Sequence, residues 1–163
     1  MRTFLALATS LALVGCTSYS GRGLVAGQSS AEEVEALMGP AADRRSGADG
    51  EALRYYPRQP YGREMYVARI GPDGRLRAIE QRLTEANVAR LAPGSSRADE
   101  VRDLFGPPYQ VTAFSRLERD VWTYKMYGDG TRPKDLYVQF SRDGIVREVM
   151  MMDDPQFTSM ETP

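Results

Sequence analysis

Fourteen residues of this chain occur twice. Gly27 to Pro40 reads GQSSAEEVEALMGP and Gly94 to Pro107 reads GSSRADEVRDLFGP, with eight identities in fourteen positions and no gap. Looser echoes follow in the same order. Tyr56 falls on Tyr124, Met65-Tyr66-Val67 on Leu136-Tyr137-Val138, Asp73-Gly74 on Asp143-Gly144, and Arg77 with Ile79 on Arg147 with Val149. The period is too long for a solenoid turn and suits a small folding unit of roughly 60 to 70 residues, present in two copies.

Each copy opens with the signals of a short helix. Ser29 with Glu32, and Ser96 with Asp99, have the spacing of an N-cap and its N3 carboxylate, which satisfies free backbone N–H groups and complements the helix dipole. Ala31, Val34, Leu37 and Met38 form one apolar stripe, and Ala98, Val101, Leu104 and Phe105 form another. Gly39-Pro40 and Gly106-Pro107 then stop the helix, glycine by taking a left-handed conformation and proline by being unable to continue. Helices this short are marginal alone, so the stripe requires cover.

Strands supply that cover. Trp122, Tyr124 and Met126 alternate with Val121, Thr123 and Lys125; Leu136, Val138 and Phe140 alternate with Tyr137 and Gln139. A tight turn at Ser141 to Gly144 returns the chain through Ile145 to Met152, and Tyr109 to Phe114 forms a weaker strand. The first copy repeats the hairpin as Met65 to Ile70, a Gly71-Pro72-Asp73-Gly74 turn, and Arg75 to Leu83. The expected fold class is α+β: two tandem units, each a short helix or helix pair on an antiparallel sheet of three to four strands. Trp122 is expected to be buried against Val101, Leu104 and Phe105.

The first residues, MRTFLALATSLALVGC, have the layout of an export signal: Arg2, an apolar run from Phe4 to Val14, then small residues. That run is too short for a permanent membrane span. Cys16 is the only cysteine, so an exported chain forms no internal disulfide, and covalent modification accounts for a thiol in an oxidising compartment. Leu13-Val14-Gly15-Cys16 resembles the bacterial lipobox, which implies lipidation of Cys16, the membrane held by acyl chains rather than a span. Thr17, where aspartate would mark inner-membrane retention, implies the outer membrane. The organisation expected is a signal peptide at 1–15, a tether at 16–23, units at 24–90 and 91–155, and a tail at 156–163.

With 21 basic and 22 acidic residues the chain has no electrostatic footprint for nucleic acid. It has no histidine, which excludes His-assisted nucleophilic triads and every His-containing metal site. A Ser-Lys dyad would need Lys125, expected on an exposed strand face, or Lys134, in a loop after Pro133. Asp153-Asp154 is expected in a turn before Pro155, and Glu32-Glu33 on a helix N-terminus. Met150-Met151-Met152 cannot converge on one ion, because adjacent strand residues point to opposite faces. No catalytic residue, metal, cofactor or small-molecule substrate is expected beyond the lipid on Cys16. Binding is expected instead. Leu53 to Tyr66, LRYYPRQPYGREMY, concentrates tyrosine and arginine, types that dominate interface hot spots, and Tyr55, Arg58, Tyr61 and Arg63 are the candidate protein contacts. Tyr56 and Tyr66 match core-like positions of the second copy.

The capped helix x-x-E-V-x-x-L-x-G-x-P, the Trp122-x-Tyr124 strand and the hairpin LYVQFSRDGIVREV, all behind a lipobox, resemble the SmpA/OmlA family of BamE-like lipoproteins. The tandem arrangement is similar to that of the β-lactamase inhibitor protein. The family resemblance implies a non-catalytic, periplasm-facing lipoprotein of the outer membrane that binds envelope proteins, the β-barrel assembly machine among them. The second resemblance implies an alternative, an inhibitor-type protein that clamps an envelope enzyme. Arg54, where the second copy has Trp122, and the tyrosine-rich loop are the places where a functional difference between the copies is expected.

Overall fold

The computed structural model of the chain describes residues 20–59 and 61–158. The lipobox cysteine Cys16 and the signal segment lie outside the described residues. The first unit runs α1 (Ala31–Met38), β1 (Asp43–Ser46), β2 (Ala52–Pro57), β3 (Met65–Ile70) and β4 (Leu76–Gln81). A short α2 (Glu85–Val88) links it to α3 (Ala98–Phe105), β5 (Gln110–Phe114), β6 (Arg119–Gly128), β7 (Arg132–Ser141), β8 (Val146–Asp153) and a terminal turn of helix, α4 (Pro155–Thr158). The fold is α+β, with two four-stranded antiparallel meanders in the orders β1-β2-β3-β4 and β5-β6-β7-β8.

The two copies agree in detail. Each helix is entered through an isolated bridge to the last hairpin, Ser30 with Arg75 and Arg97 with Ile145. Leu76 N–H donates to Ser29 O and Val146 N–H to Ser96 O, both at 2.8 Å. These contacts place the helix caps one residue later than the spacing suggests. Ser30 is the first N-cap: its hydroxyl accepts Glu33 N–H at 3.2 Å, and the Glu33 carboxylate accepts Ser30 N–H at 2.7 Å. Arg97 holds the same place in the second copy without an acceptor, so only the reverse bond survives, from Arg97 N–H to Glu100 at 3.1 Å. Ser29 and Ser96 are buried instead, and their hydroxyls accept the N–H groups of Val25 and Ala92 to close the turn before each helix.

Irregularities in the sheets also match, at Arg69/Ile70 and at Gln139/Phe140. Ile70 opposite Leu76 is therefore the counterpart of Phe140 opposite Val146. Tyr66-Val67-Ala68, not Met65-Tyr66-Val67, corresponds to Leu136-Tyr137-Val138. A slip of one residue moves every side chain of a strand to the other face. In β3, Tyr66, Ala68 and Ile70 face α1, whereas Met65 and Val67 belong to a second cluster.

That second cluster joins the units. Leu53, Tyr55, Met65, Val67 and Leu83 of the first unit pack with Val101, Phe105, Tyr124, Met126, Leu136 and Val138 of the second. The layers run α1, first sheet, α3, second sheet, and α3 is covered on both sides. Strand β3 accordingly reads MYVARI, apolar on both faces except at Arg69 near its end, as strands buried on both faces do. Polar groups of the first unit finish the last turn of α3: Asp103 O accepts Tyr55 OH at 2.7 Å and Arg82 Nη1 at 2.9 Å. Arg45 pairs with the Asp103 carboxylate, and Arg102 Nε donates to Asp43 at 3.0 Å. The first two satisfy a helix-end carbonyl, Asp103 O, that would otherwise lack a partner, and the two ion pairs join side chains across the units.

Trp122 is only part-buried, and its ring meets Phe140 at a centroid distance of 4.6 Å. It pairs with Val111 of the edge strand β5, so one side lies near solvent; Tyr124, paired with Phe105 at 5.4 Å, takes the fully buried place. Arg54, its counterpart, donates to Ala31 O at 2.8 Å and to Glu35 at 3.3 Å. Arg54 thus ties its sheet to α1 by hydrogen bonds, while Trp122 adds aromatic packing to the second core.

Candidate interaction site

The first sheet has both faces covered. The second has α3 on one face; on the other, among the described residues, only the loop between β2 and β3 and the segment after β8 reach over, at one end. The pairing register shows what has changed on the uncovered face. Tyr55 opposite Val67 in the first sheet corresponds to Thr123 opposite Tyr137 in the second, and Pro57 opposite Met65 corresponds to Lys125 opposite Asp135. An apolar face has become a polar one.

An ionic cluster sits at one end of this face. Lys125 Nζ donates to Asp135 Oδ2 at 2.8 Å and to Asp154 Oδ2 at 3.2 Å, and Tyr137 OH donates to Asp135 Oδ2 at 3.3 Å. Arg63, from the loop between β2 and β3, reaches over from the first unit. Its Nη2 pairs with Asp154 Oδ2, while Nη1 donates to Lys134 O at 3.3 Å and stands 3.8 Å from Asp135 Oδ1. Gln156 N–H donates to Asp154 Oδ1 at 2.9 Å. Asp154 is fully buried and Asp135 nearly so, and two cations balance two carboxylates. This pairing is what permits charges to be buried at all.

The charges behave as a tie between segments. Burial pushes the Asp154 carboxyl up, but the Gln156 N–H, Arg63 and Lys125 outweigh it and hold its pKa below the ordinary aspartate value. Burial likewise pushes the Lys125 ammonium down, and the hydrogen bonds to Asp135 and Asp154 more than offset this, so its pKa is raised. Around the tie stands an apolar rim. The Tyr109 ring lies 5.7 Å from Lys125 Nζ and the Phe157 ring 5.0 Å from Arg63 Cζ, both in cation–π range. Tyr109, Met152 and Phe157 are each about half exposed, at 45%, 55% and 47%.

The four tyrosine and arginine positions singled out in the sequence separate here. Tyr55 is wholly buried under α3, and burial pushes its hydroxyl up to about 12. Arg63 is buried in the ionic cluster. Both serve contacts within the chain: Tyr55 because the first sheet's second face is an internal one, and Arg63 because it ties its loop to Asp154. Tyr61 stands 98% exposed at the loop tip. Arg58 shapes the loop through its backbone, donating its N–H to Glu64 O at 3.0 Å and accepting Gly62 N–H at 2.8 Å. Lys125, expected on an exposed face, and Asp154, expected in a turn, are cluster members. Tyr56 is core and Tyr66 packs against the same core. Tyr109, Met152 and Phe157 do not read as one site in the sequence, where the first two are strand ends and the third lies in the tail, and only the fold brings them together.

A cleft of about 500 Å³ also runs between the units, with Leu53, Arg82, Asn87, Arg90, Leu91 and Glu100 among its walls. Its polar groups are engaged with neighbours: Arg82 with Glu80 and Asp103 O, Arg90 with Asn87, and Glu100 with Arg97 N–H. Among the described residues no group of three acidic, histidine or cysteine side chains is placed to hold a metal ion, and no helix is long and apolar enough to cross a membrane.

No protein-family model matches the chain. No curated protein matches it either. Among solved structures, a DUF4309 family protein (YjgB) from Bacillus subtilis subsp. subtilis str. 168 is similar at 16% sequence identity, covering 82% of this chain and 84% of that one, with a TM-score of 0.31. A likeness this loose carries no role across.

Proposed function

We propose that this chain is an outer-membrane lipoprotein of the BamE-like kind. It is tethered at the periplasmic face through Cys16 and acts as a non-catalytic scaffold that binds envelope proteins during outer-membrane protein assembly. The observation that carries the binding role is the uncovered face of the second sheet. It has an apolar rim of Tyr109, Met152 and Phe157 around a charge-balanced centre, on a scaffold made rigid by a shared core. A partner's apolar residues desolvate the rim while the cluster, already internally paired, has no unmatched charge to strand. The lipobox and export signal support the location.

Capture from gently solubilised membranes, followed by mass spectrometry, tests this reading. Recovery of barrel-assembly subunits, reduced by Tyr109→Ser with Phe157→Ser, is the expected outcome. Recovery of one soluble hydrolase instead favours the inhibitor-type alternative, and capture unaffected by the double substitution removes the proposed face. For the tether, Cys16→Ser is expected to release the protein from the membrane fraction; persistence there defeats the lipidation proposal.

A further inference from the structure

The first strand of each unit is a sheet edge, and the two edges are built oppositely. β1 reads DRRS, and its charged side chains are tied down: Asp43 by Arg102, Arg45 by Asp103, and Arg44 by Glu35 at 2.8 Å. A short charged edge of this kind blocks pairing with another chain. β5 occupies the equivalent place, with Gln110 opposite Thr123 as Asp43 is opposite Tyr55. It reads QVTAF, with no charge, no proline and no irregularity in its pairing with β6. Val111 is 55% exposed and Phe114 47%, and Leu117 follows at 69%.

We propose that β5 pairs antiparallel with β5 of a second copy of this chain, across a two-fold axis at Thr112, to make one continuous sheet of both copies' β5 to β8. The strand's own composition selects this occupant. In that register Gln110 faces Phe114, Val111 faces Ala113 and Thr112 faces its counterpart, so no like charges meet. Val111 and Ala113, which pair with Trp122 and Asp120, lie on the helix side; Gln110, Thr112 and Phe114 lie on the uncovered side. Each set therefore meets its own kind. A charged extended segment finds no ion-pair partner along this edge, and the chain's other edges do not match it: β4 carries Arg77 and Glu80, and β8 carries Arg147, Glu148 and Asp153. A two-fold axis normal to the sheet keeps each face on its own side, so pairing merges the two uncovered faces into one surface. Cross-strand pairs are individually weak, and a strand of five residues makes a concentration-dependent dimer.

The test uses the full chain carrying Cys16→Ser, so that an added cysteine is the sole thiol. Thr112→Cys is expected to give a covalent dimer on mild oxidation or with a short thiol cross-linker, and Glu148→Cys on the β8 edge is not. Equal yields at both positions, or none at Thr112, overturn the proposal. In sedimentation equilibrium the parent is expected to shift from the 18.2 kDa monomer toward twice that mass with rising concentration, a parent that stays monomeric being the contrary result. Thr112→Lys and Thr112→Asp are each expected to be monomeric, and their mixture to regain a heterodimer by native mass spectrometry. Recovery in the mixture shows both variants folded; variants that dimerise alone as the parent does rule out β5 as the contact.

Discussion

Helices α1 and α3 have the same length of eight residues and share four of them at matching positions, yet one lies at the outside of the molecule and the other in its middle. α1 packs one side on the first sheet and leaves Glu32, Glu33 and Ala36 in solvent. α3 packs one side on the second sheet and is clasped on the other by Tyr55, Arg45, Arg82 and Asp43 of the first unit. The Gly-Pro stops show the same divergence. A Cβ on Gly39 would meet nothing within 4 Å, whereas one on Gly106 would sit 2.6 Å from Tyr55 Cδ1 and 3.2 Å from Met65 Sδ. Duplication supplied one local structure twice. Which side of each copy found cover then made one unit depend on the other.

Substitutions at paired positions can break that contrast. The largest effect is expected at Tyr55→Ala, which opens the shared core and should cost about 3 to 5 kcal/mol in denaturant unfolding. Thr123→Ala, at the matching position of the second sheet, should cost less than about 1.5 kcal/mol. Equal costs would mean that the first sheet is not roofed by α3.

Gly106→Ala combines backbone strain at φ 73 with the clash against Tyr55, and about 3 kcal/mol is expected. Gly39→Ala carries the strain alone, at φ 83, and about 1 to 2 kcal/mol is expected. The difference between the two melting curves reads the inter-unit contact directly.

Asp154→Asn leaves Arg63 and Lys125 without their shared acceptor charge and should cost about 3 kcal/mol at neutral pH. Its sign with pH is fixed by the depressed folded-state pKa. The contribution is present above the ordinary aspartate range and lost as the pH falls through the folded value, so the gap between variant and parent should close on acidification. Lys125 has a raised folded-state pKa, so its contribution is complete below the ordinary lysine range and fades as the pH rises through the folded value. A gap independent of pH on the acid side would remove the cluster as the cause.

Smaller effects sharpen the assignment of individual groups. Tyr55→Phe keeps the packing and deletes only the bond to Asp103 O, for about 1 kcal/mol. Tyr61→Ala should leave the melting temperature unchanged, because the side chain is 98% exposed.

Much of each unit was legible from its residues. The helix stripes, the Gly-Pro stops and the Asp-Gly hairpins are local signals, and helices and turns answer to local rules. Cap positions slipped by one, from Ser29 to Ser30 and from Ser96 to Arg97, because where each helix begins depends on a bridge to Arg75 or Ile145 far along the chain. The β3 match slipped by one because Met65-Tyr66-Val67 copies the pattern of Leu136-Tyr137-Val138 better than the true counterpart does. Strand β3 is buried on both faces, so its sequence has no alternation to set its register. The candidate site was barely legible. Arg63 reads as a surface arginine in a tyrosine-rich loop, and nothing local tells it that Asp154 lies 91 residues away.

The residues alone determined that the chain is two copies of a capped helix on an antiparallel sheet, because hydrophobic period, capping and turn chemistry act over a few positions. Tertiary structure decided which face of each sheet is internal, which tyrosine is core, and which charges meet. Those outcomes depend on docking one unit against the other, an energy spread over apolar contacts such as Tyr55 with Gly106, and no short stretch of sequence contains both partners.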